Sequence, residues 1–424
     1  MAASTEDIIV PFRTKPLLPG RSRMSNQQQV YPSTDKHFER FLTNHNSTIL
    51  LENYGNKSGS LWEGNNLLQL GVVILSTGFW DFHPDGIEKV EGLTLKAPGL
   101  SVLLNALHEK DLQLPDAEIL KRLKKEGASE SMAVYCGLAS LRRKPVLTSV
   151  QTEDFKRWAG RLRPRKEVRY TESSAEATNP SDPDFEPEKY EDIEEQAVRI
   201  IDEAEANDTA IAFIRMVLTT VQEVLDTTDE KQFPAVRRSP GKYKNTPTTL
   251  GTYSCWTDGS IVVQAFSNSI IQSPEVVAIA EIEVKRHDRV QILPQHISQL
   301  NAQVYRVVLS YRKTDTAKSY ADIPKKDRTI YLICVNGTQF RVCWVTYKAE
   351  WLHSLFGPFS QLGVVNPKET ETRLGIQEFH LSKAYALNTA EDREEAADIL
   401  LYIAFFIVRI GYNYDEIANY TGAQ

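Results

Sequence analysis

Along Ala280-Glu281-Ile282-Glu283-Val284-Lys285, apolar and charged side chains alternate strictly. Successive side chains of a β-strand point to opposite faces. Ala280, Ile282 and Val284 therefore share one face, and Glu281, Glu283 and Lys285 share the other. Charge taken into a protein interior needs a partner or a metal, because desolvating it alone is too costly. The segment thus requires a sheet with one apolar face, and an opposite face that answers three neighbouring charges.

Upstream, Thr257-Asp258-Gly259-Ser260 sets Asp258 at the mouth of a second strand. If the two strands pair, the carboxylates of Asp258 and Glu283 meet. Two convergent carboxylates, completed by carbonyls and waters, suit Mg²⁺, a hard ion that prefers oxygen ligands; Mn²⁺ is the other candidate. A lysine beside them can orient or activate the attacking water, while the ion stabilises charge developing on a phosphate. Asp258, Glu283 and Lys285 are chemically complete for phosphodiester hydrolysis. Neither part is specific alone, since Glu-x-Lys triplets are common and Asp-Gly is a good hairpin turn.

The flanking pattern predicts the framework for this pair. In Asp208–Leu225, residues Ile214, Val217, Leu218, Val221, Val224 and Leu225 form one helical stripe, with Asp208 or Thr209 as the expected N-cap. Strand patterns follow at 252–256, 260–266 and 276–284, then a helix over about 295–311, then strands at 329–335 and 340–347. On that helix Ile297, Leu300, Val304, Val307 and Tyr311 make the core stripe, and Gln299, Gln303 and Arg306 line a polar strip beside it.

Asp258 followed by Glu283-Val284-Lys285, in an αβββαβ order, resembles the PD-(D/E)XK nuclease superfamily. The likeness spans residues of about 205 to 350, roughly a third of the chain. It is similar in particular to nuclease-like domains found in many fungal proteins, which share an Ile-Glu-x-Lys strand and an Ala-Gln helix. The resemblance implies a restriction-endonuclease-like α/β core with a mixed central sheet, in which Asp258 and Glu283 bind the metal and Lys285 serves the water. Members often carry a glutamine on the following helix; Gln303 matches it best, and Gln299 next. Thr257 stands where the family name places proline, and 24 residues separate Asp258 from Glu283. The implied activity is a Mg²⁺-dependent nuclease, on DNA before RNA; the alternative is an inactive nuclease-like fold that binds nucleic acid or protein.

The remaining sequence divides into an expected flexible tail at 1–30, a mostly helical region at 31–163, a linker or exposed loop at 164–190 and the nuclease-like domain with a helical extension at 191–424. Helical spacing is read at 67–75, 99–114 and 117–127. The linker rests on its acidic, Pro- and Ser-bearing composition. A formal charge of −7 argues against a uniformly basic nucleic-acid surface. A local basic run, Lys156, Arg157, Arg161, Arg163, Arg165, Lys166 and Arg169, either tracks a phosphate backbone or pairs with the acidic linker. Glu281 reads as a support for a metal ligand or, preferably, as a solvated strand residue. Glu223 reads as a solvated helix end in preference to a further acid for the site, and His287 as an exposed loop histidine in preference to a phosphate holder or base.

Four scattered cysteines without a CxxC pair give little support to a disulfide framework or a zinc site, and imply a reducing intracellular setting, nucleus or cytoplasm. The apolar run Ile399–Val408 is ten residues, short of the roughly 20 that span a bilayer, and reads as a buried helix with no membrane partner. Phosphate-binding loops of the GxxxxGK[ST] type, HExxH and GxSxG are absent from the sequence.

Overall fold

A computed structural model describes residues 9–11, 28–30, 57–58, 62, 66–67, 70–81, 97–142, 193–219, 232–238, 242–248, 251–265, 278–285, 293–313, 317–362 and 375–410. The first strands are β1 (Ile9–Pro11), β2 (Gln28–Val30), β3 (Lys57–Ser58) and β4 (Val72–Ser76). Helices α1 (Pro98–Asn105), α2 (Asp116–Lys125), α3 (Met132–Arg142) and α4 (Ile193–Thr219) follow. Then come β5 (Gln232–Arg237), β6 (Lys242–Thr248), β7 (Gly251–Trp256), β8 (Gly259–Ala265) and β9 (Ala278–Lys285), and the long helix α5 (Leu293–Lys313). The chain continues through β10 (Thr329–Asn336), β11 (Gln339–Thr346), α6 (Ala349–Phe356), β12 (Gln377–Leu381), β13 (Tyr385–Ala386) and α7 (Ala390–Ile410).

Eight strands form a mixed central sheet in the order β4-β12-β11-β10-β9-β8-β5, with β13 beside β11. Strands β5, β8 and β9 pair antiparallel, whereas β10 runs parallel to β9. Parallel neighbours require a crossover connection, and α5 lies in it. Strands β10 and β11 pair in register from Thr329↔Thr346 to Asn336↔Gln339, so Gly337-Thr338 is a two-residue turn. Gly337 has φ 58°, a conformation that glycine adopts without a Cβ penalty. A three-stranded sheet, β3-β7-β6, shares no ladder with the first but packs into the same core on the α5 side, through Tyr243, Tyr253 and Cys255.

The alternation of β9 sorts its side chains as the sequence predicts. Ala280, Ile282 and Val284 join a core built with α1 to α4 and α7. The other face of the sheet packs against α5 through Leu332, Cys334, Cys343 and Val345, which meet Ile297, Leu300, Val304 and Val307. The molecule is thus α/β, with helices on both faces of a mixed sheet.

Several sequence expectations change in detail. Helix α4 starts at Ile193, so Asp208 and Thr209 lie inside it and are not its N-cap. Thr209 Oγ1 donates to the carbonyl of Glu205 at 2.8 Å, a bond within the helix that supplies no cap. The spacing at 67–75 predicts a helix, but Val72–Ser76 pairs parallel with β12 as a strand. A short apolar run fits a buried strand or a buried helix equally well by periodicity, and pairing decides. The region read as helical contains α1 to α3, but β3 and β4 also join sheets with strands from beyond residue 190. In the segment read as a tail, β1 and β2 pair antiparallel. The expected linker at 164–190 lies outside the described residues. Ile399–Ala404 is buried within α7, and among the described residues no helix is long and apolar enough to cross a membrane.

Candidate functional site

Glu283 is the centre of the polar face of β9, with only 2% of its surface exposed. One carboxylate oxygen, Oε1, accepts from Gln295 Nε2 at 2.6 Å and from Lys285 Nζ at 2.7 Å. The other, Oε2, accepts from Gln299 Nε2 at 2.6 Å. Burial pushes this carboxyl above its usual range, and nearby Asp258 adds to the rise, while Lys285 opposes it.

Asp258 immediately precedes β8 and is tied directly to β9. Its backbone N–H donates to Ile282 O at 2.9 Å, and its Oδ2 accepts from the Val284 N–H at 2.7 Å. The next residue, Gly259, is the register partner of Ile282. A Cβ at Gly259 would lie 3.0 Å from the Arg237 carbonyl oxygen and 3.2 Å from Ile211 Cδ1. The absence of a side chain there lets β8 sit close against β5 and α4, bringing Asp258 level with the Glu283 end of β9.

Glu281 is buried rather than solvated, which corrects the preferred reading from sequence. Its carboxylate accepts from the Tyr243 hydroxyl and, at 2.6 Å, from Thr257 Oγ1. Burial raises its pKa, and these two hydroxyls hold the rise in check. The Arg306 guanidinium stacks 4.3 Å from the Tyr243 ring centroid and closes this end of the polar face. Glu281 therefore sits in a hydroxyl-lined niche one step along the strand from Glu283.

Helix α5 presents glutamines at intervals of four residues, which place them on one face, a turn apart. Gln299 meets Glu283 and also donates to Trp256 O at 2.6 Å. Gln303, the first choice from sequence, does not bond to Glu283: its Nε2 donates to Ala278 O at 3.1 Å, at the start of β9. The helix runs back along the strand, so a glutamine one turn later faces the wrong end of it. Gln295 was not singled out, although its four-residue spacing from Gln299 was a legible signal. Gln299 Oε1 is buried without a hydrogen-bond partner.

Beside Glu283 lies a group that the sequence did not suggest. Cys334 Sγ and Cys343 Sγ are 3.7 Å apart, and His296 Nδ1 is 3.7 Å from Cys334 Sγ. The bond with Cys334, helped by His296, holds the Cys343 thiol down to about 6 against its burial. Burial pushes Cys334 the other way. Glu223, His287 and the basic run at 156–169 lie outside the described residues.

No protein-family model, curated protein or solved structure matches this chain.

Proposed function

We propose that the protein is a Mg²⁺-dependent nuclease with a restriction-endonuclease-like core, in which α4, β5, β8, β9, α5 and β10 supply the αβββαβ order. The carrying observation is that Asp258 is bonded to the backbone of Val284 and Glu283 to Lys285 at one end of neighbouring strands, near enough for the Asp258 charge to raise the Glu283 carboxyl. That end of the sheet also collects Gln295 and Gln299 from the helix that follows.

The donor set fits Mg²⁺. Asp258 and Glu283 offer hard anionic oxygens, and the orphaned Gln299 Oε1 is a buried acceptor in want of a cation or a water bound to one. When bound, the ion would stabilise charge on the scissile phosphate and favour the hydroxide form of a water. Gln295 and Gln299 fix the rotamer of Glu283, so its oxygens do not have to reorganise at the moment of reaction. Lys285 Nζ is positioned to orient the nucleophilic water and neutralise negative charge near Glu283. DNA is the proposed substrate, with RNA tested beside it.

The test pairs metal titration with cleavage of single- and double-stranded DNA and RNA, using Mg²⁺ or Mn²⁺. Asp258→Ala and Glu283→Ala are each expected to lose both metal binding and cleavage. A folded wild-type protein that cuts none of these substrates with either ion overturns the proposal. One observation favours a second reading, an inactive nuclease-like module that binds nucleic acid or protein: both Glu283 oxygens already have protein donors. That reading expects substrate binding indifferent to chelators and to Asp258→Ala.

A further inference from the structure

We infer that His296, Cys334 and Cys343 form a three-residue Zn²⁺ site, its fourth position left to a water, that pins the first turns of α5 to the β10–β11 hairpin. The hairpin register pairs Leu332 with Cys343 and Cys334 with Arg341, so the two cysteines are diagonal neighbours. Both belong to the core on the α5 side of the sheet, and α5 lays His296 over them. The three residues are 3%, 1% and 4% exposed, and their donor atoms all lie within 4.8 Å of one another.

Two of the three spacings are those of ligands around one ion, and the third pair, His296 and Cys343, lies within 4.8 Å. With Zn–S near 2.3 Å and Zn–N near 2.0–2.1 Å, tetrahedral angles put two sulfurs about 3.8 Å apart and a sulfur and nitrogen about 3.6 Å apart. The observed Sγ···Sγ and Sγ···Nδ1 separations are both 3.7 Å. A disulfide would need about 2.05 Å, and both cysteines are free thiols.

The imidazole presents Nδ1 to the sulfurs, 3.7 Å from Cys334 Sγ, a weak partner for a buried ring nitrogen but a fitting distance for a shared ion. Two thiolates and an imidazole select Zn²⁺ over Mg²⁺, because soft sulfur disfavours the harder ion.

His296 lies between Gln295 and Gln299, the two glutamines that hold Glu283, and Cys334 is the register partner of Glu283 on the adjacent strand. A metal tie at His296 would therefore set the axial position of α5 that aims both glutamines.

The test is elemental analysis of the purified full chain, followed by cobalt substitution. We expect one zinc per chain in the wild type and in Asp258→Ala, and loss of zinc in Cys343→Ser and in His296→Ala. Cobalt in the wild type should give a sulfur-to-metal charge-transfer band with tetrahedral d–d absorption, a readout that needs no variant to fold. Folded wild type with no zinc and no such band overturns the site, as does retention of zinc by a Cys334→Ser/Cys343→Ser variant or recovery of copper in place of zinc. Because Asp258→Ala is expected to keep its zinc, failure here is separable from failure of the nuclease reading.

Discussion

If the protein is the proposed nuclease, replacing Lys285 by Met should tighten metal binding while greatly slowing cleavage. Lys285 Nζ stands 2.7 Å from Glu283 Oε1 and is the carboxylate's counter-ion in the metal-free protein. An ion loading onto Glu283 must share or displace that bond, and a charged hydrogen bond contributes about 1.5–3 kcal/mol. The lysine side chain is 24% exposed, so solvent screening favours the lower end of that range. About 1.4 kcal/mol is a factor of ten, so Lys285→Met should bind Mn²⁺ about tenfold more tightly. Methionine keeps most of the aliphatic stem but neither orients a water nor neutralises charge, a loss of about 10²- to 10⁴-fold in rate for a positioned proton-handling group. The assay is paramagnetic titration of Mn²⁺ into both proteins, beside Mg²⁺-dependent cleavage of labelled DNA and RNA. Weaker ion binding in the variant would show that the lysine builds the site rather than competing for it; undiminished cleavage would remove its role at the water.

Gln299→Leu should lower cleavage by about tenfold or more, the equivalent of one charged hydrogen bond to Glu283, whereas Gln303→Leu should stay within about twofold of wild type; equal losses, in variants shown to be folded, would refute the assignment to Gln299. Burial raises the carboxyls of Glu281 and Glu283 in the metal-free protein, so the folded state binds their protons more tightly than the unfolded chain. The resulting stabilisation is full below the unfolded value and is lost as pH rises through the folded one. Relative to Glu281→Gln, metal-free wild type should therefore gain in Tm as pH falls from about 7 to about 5, and a relative fall in scanning calorimetry would contradict this. Arg393 is wholly buried and donates to the carbonyls of Leu104 at 2.9 Å, Leu107 at 2.6 Å and Leu387 at 2.8 Å. Arg393→Met orphans the carbonyls of Leu107 and Leu387, while that of Leu104 keeps the Tyr135 hydroxyl at 2.7 Å; it should cost about 2 kcal/mol, a fall in Tm of roughly 2–3 °C for a chain of this length, and an unchanged Tm would show that the carbonyls find other donors.

By itself, the sequence determined what is local and periodic. The alternation at 280–285 forces a strand with a charged face, and the stripe Ile297, Leu300, Val304 and Val307 forces a helix that covers a sheet. Both survive in β9 and α5, because a period of two or of 3.6 is a property of the backbone and needs no distant partner. The choice between Gln303 and Gln299 was decided by tertiary structure, as was the part played by Gln295, since each depends on the direction in which α5 returns along β9. The same holds for Glu281, whose hydroxyl partners Tyr243 and Thr257 come from outside its own strand. It holds for Val72–Ser76, an apolar run made a strand by β12 some 300 residues away. Cys334 and Cys343 belong to different strands, and His296 comes from a helix about 40 residues earlier, so no linear motif announces their meeting. Register, crossing direction and burial are set by packing between distant segments, and the spacing of residues along the chain does not encode them.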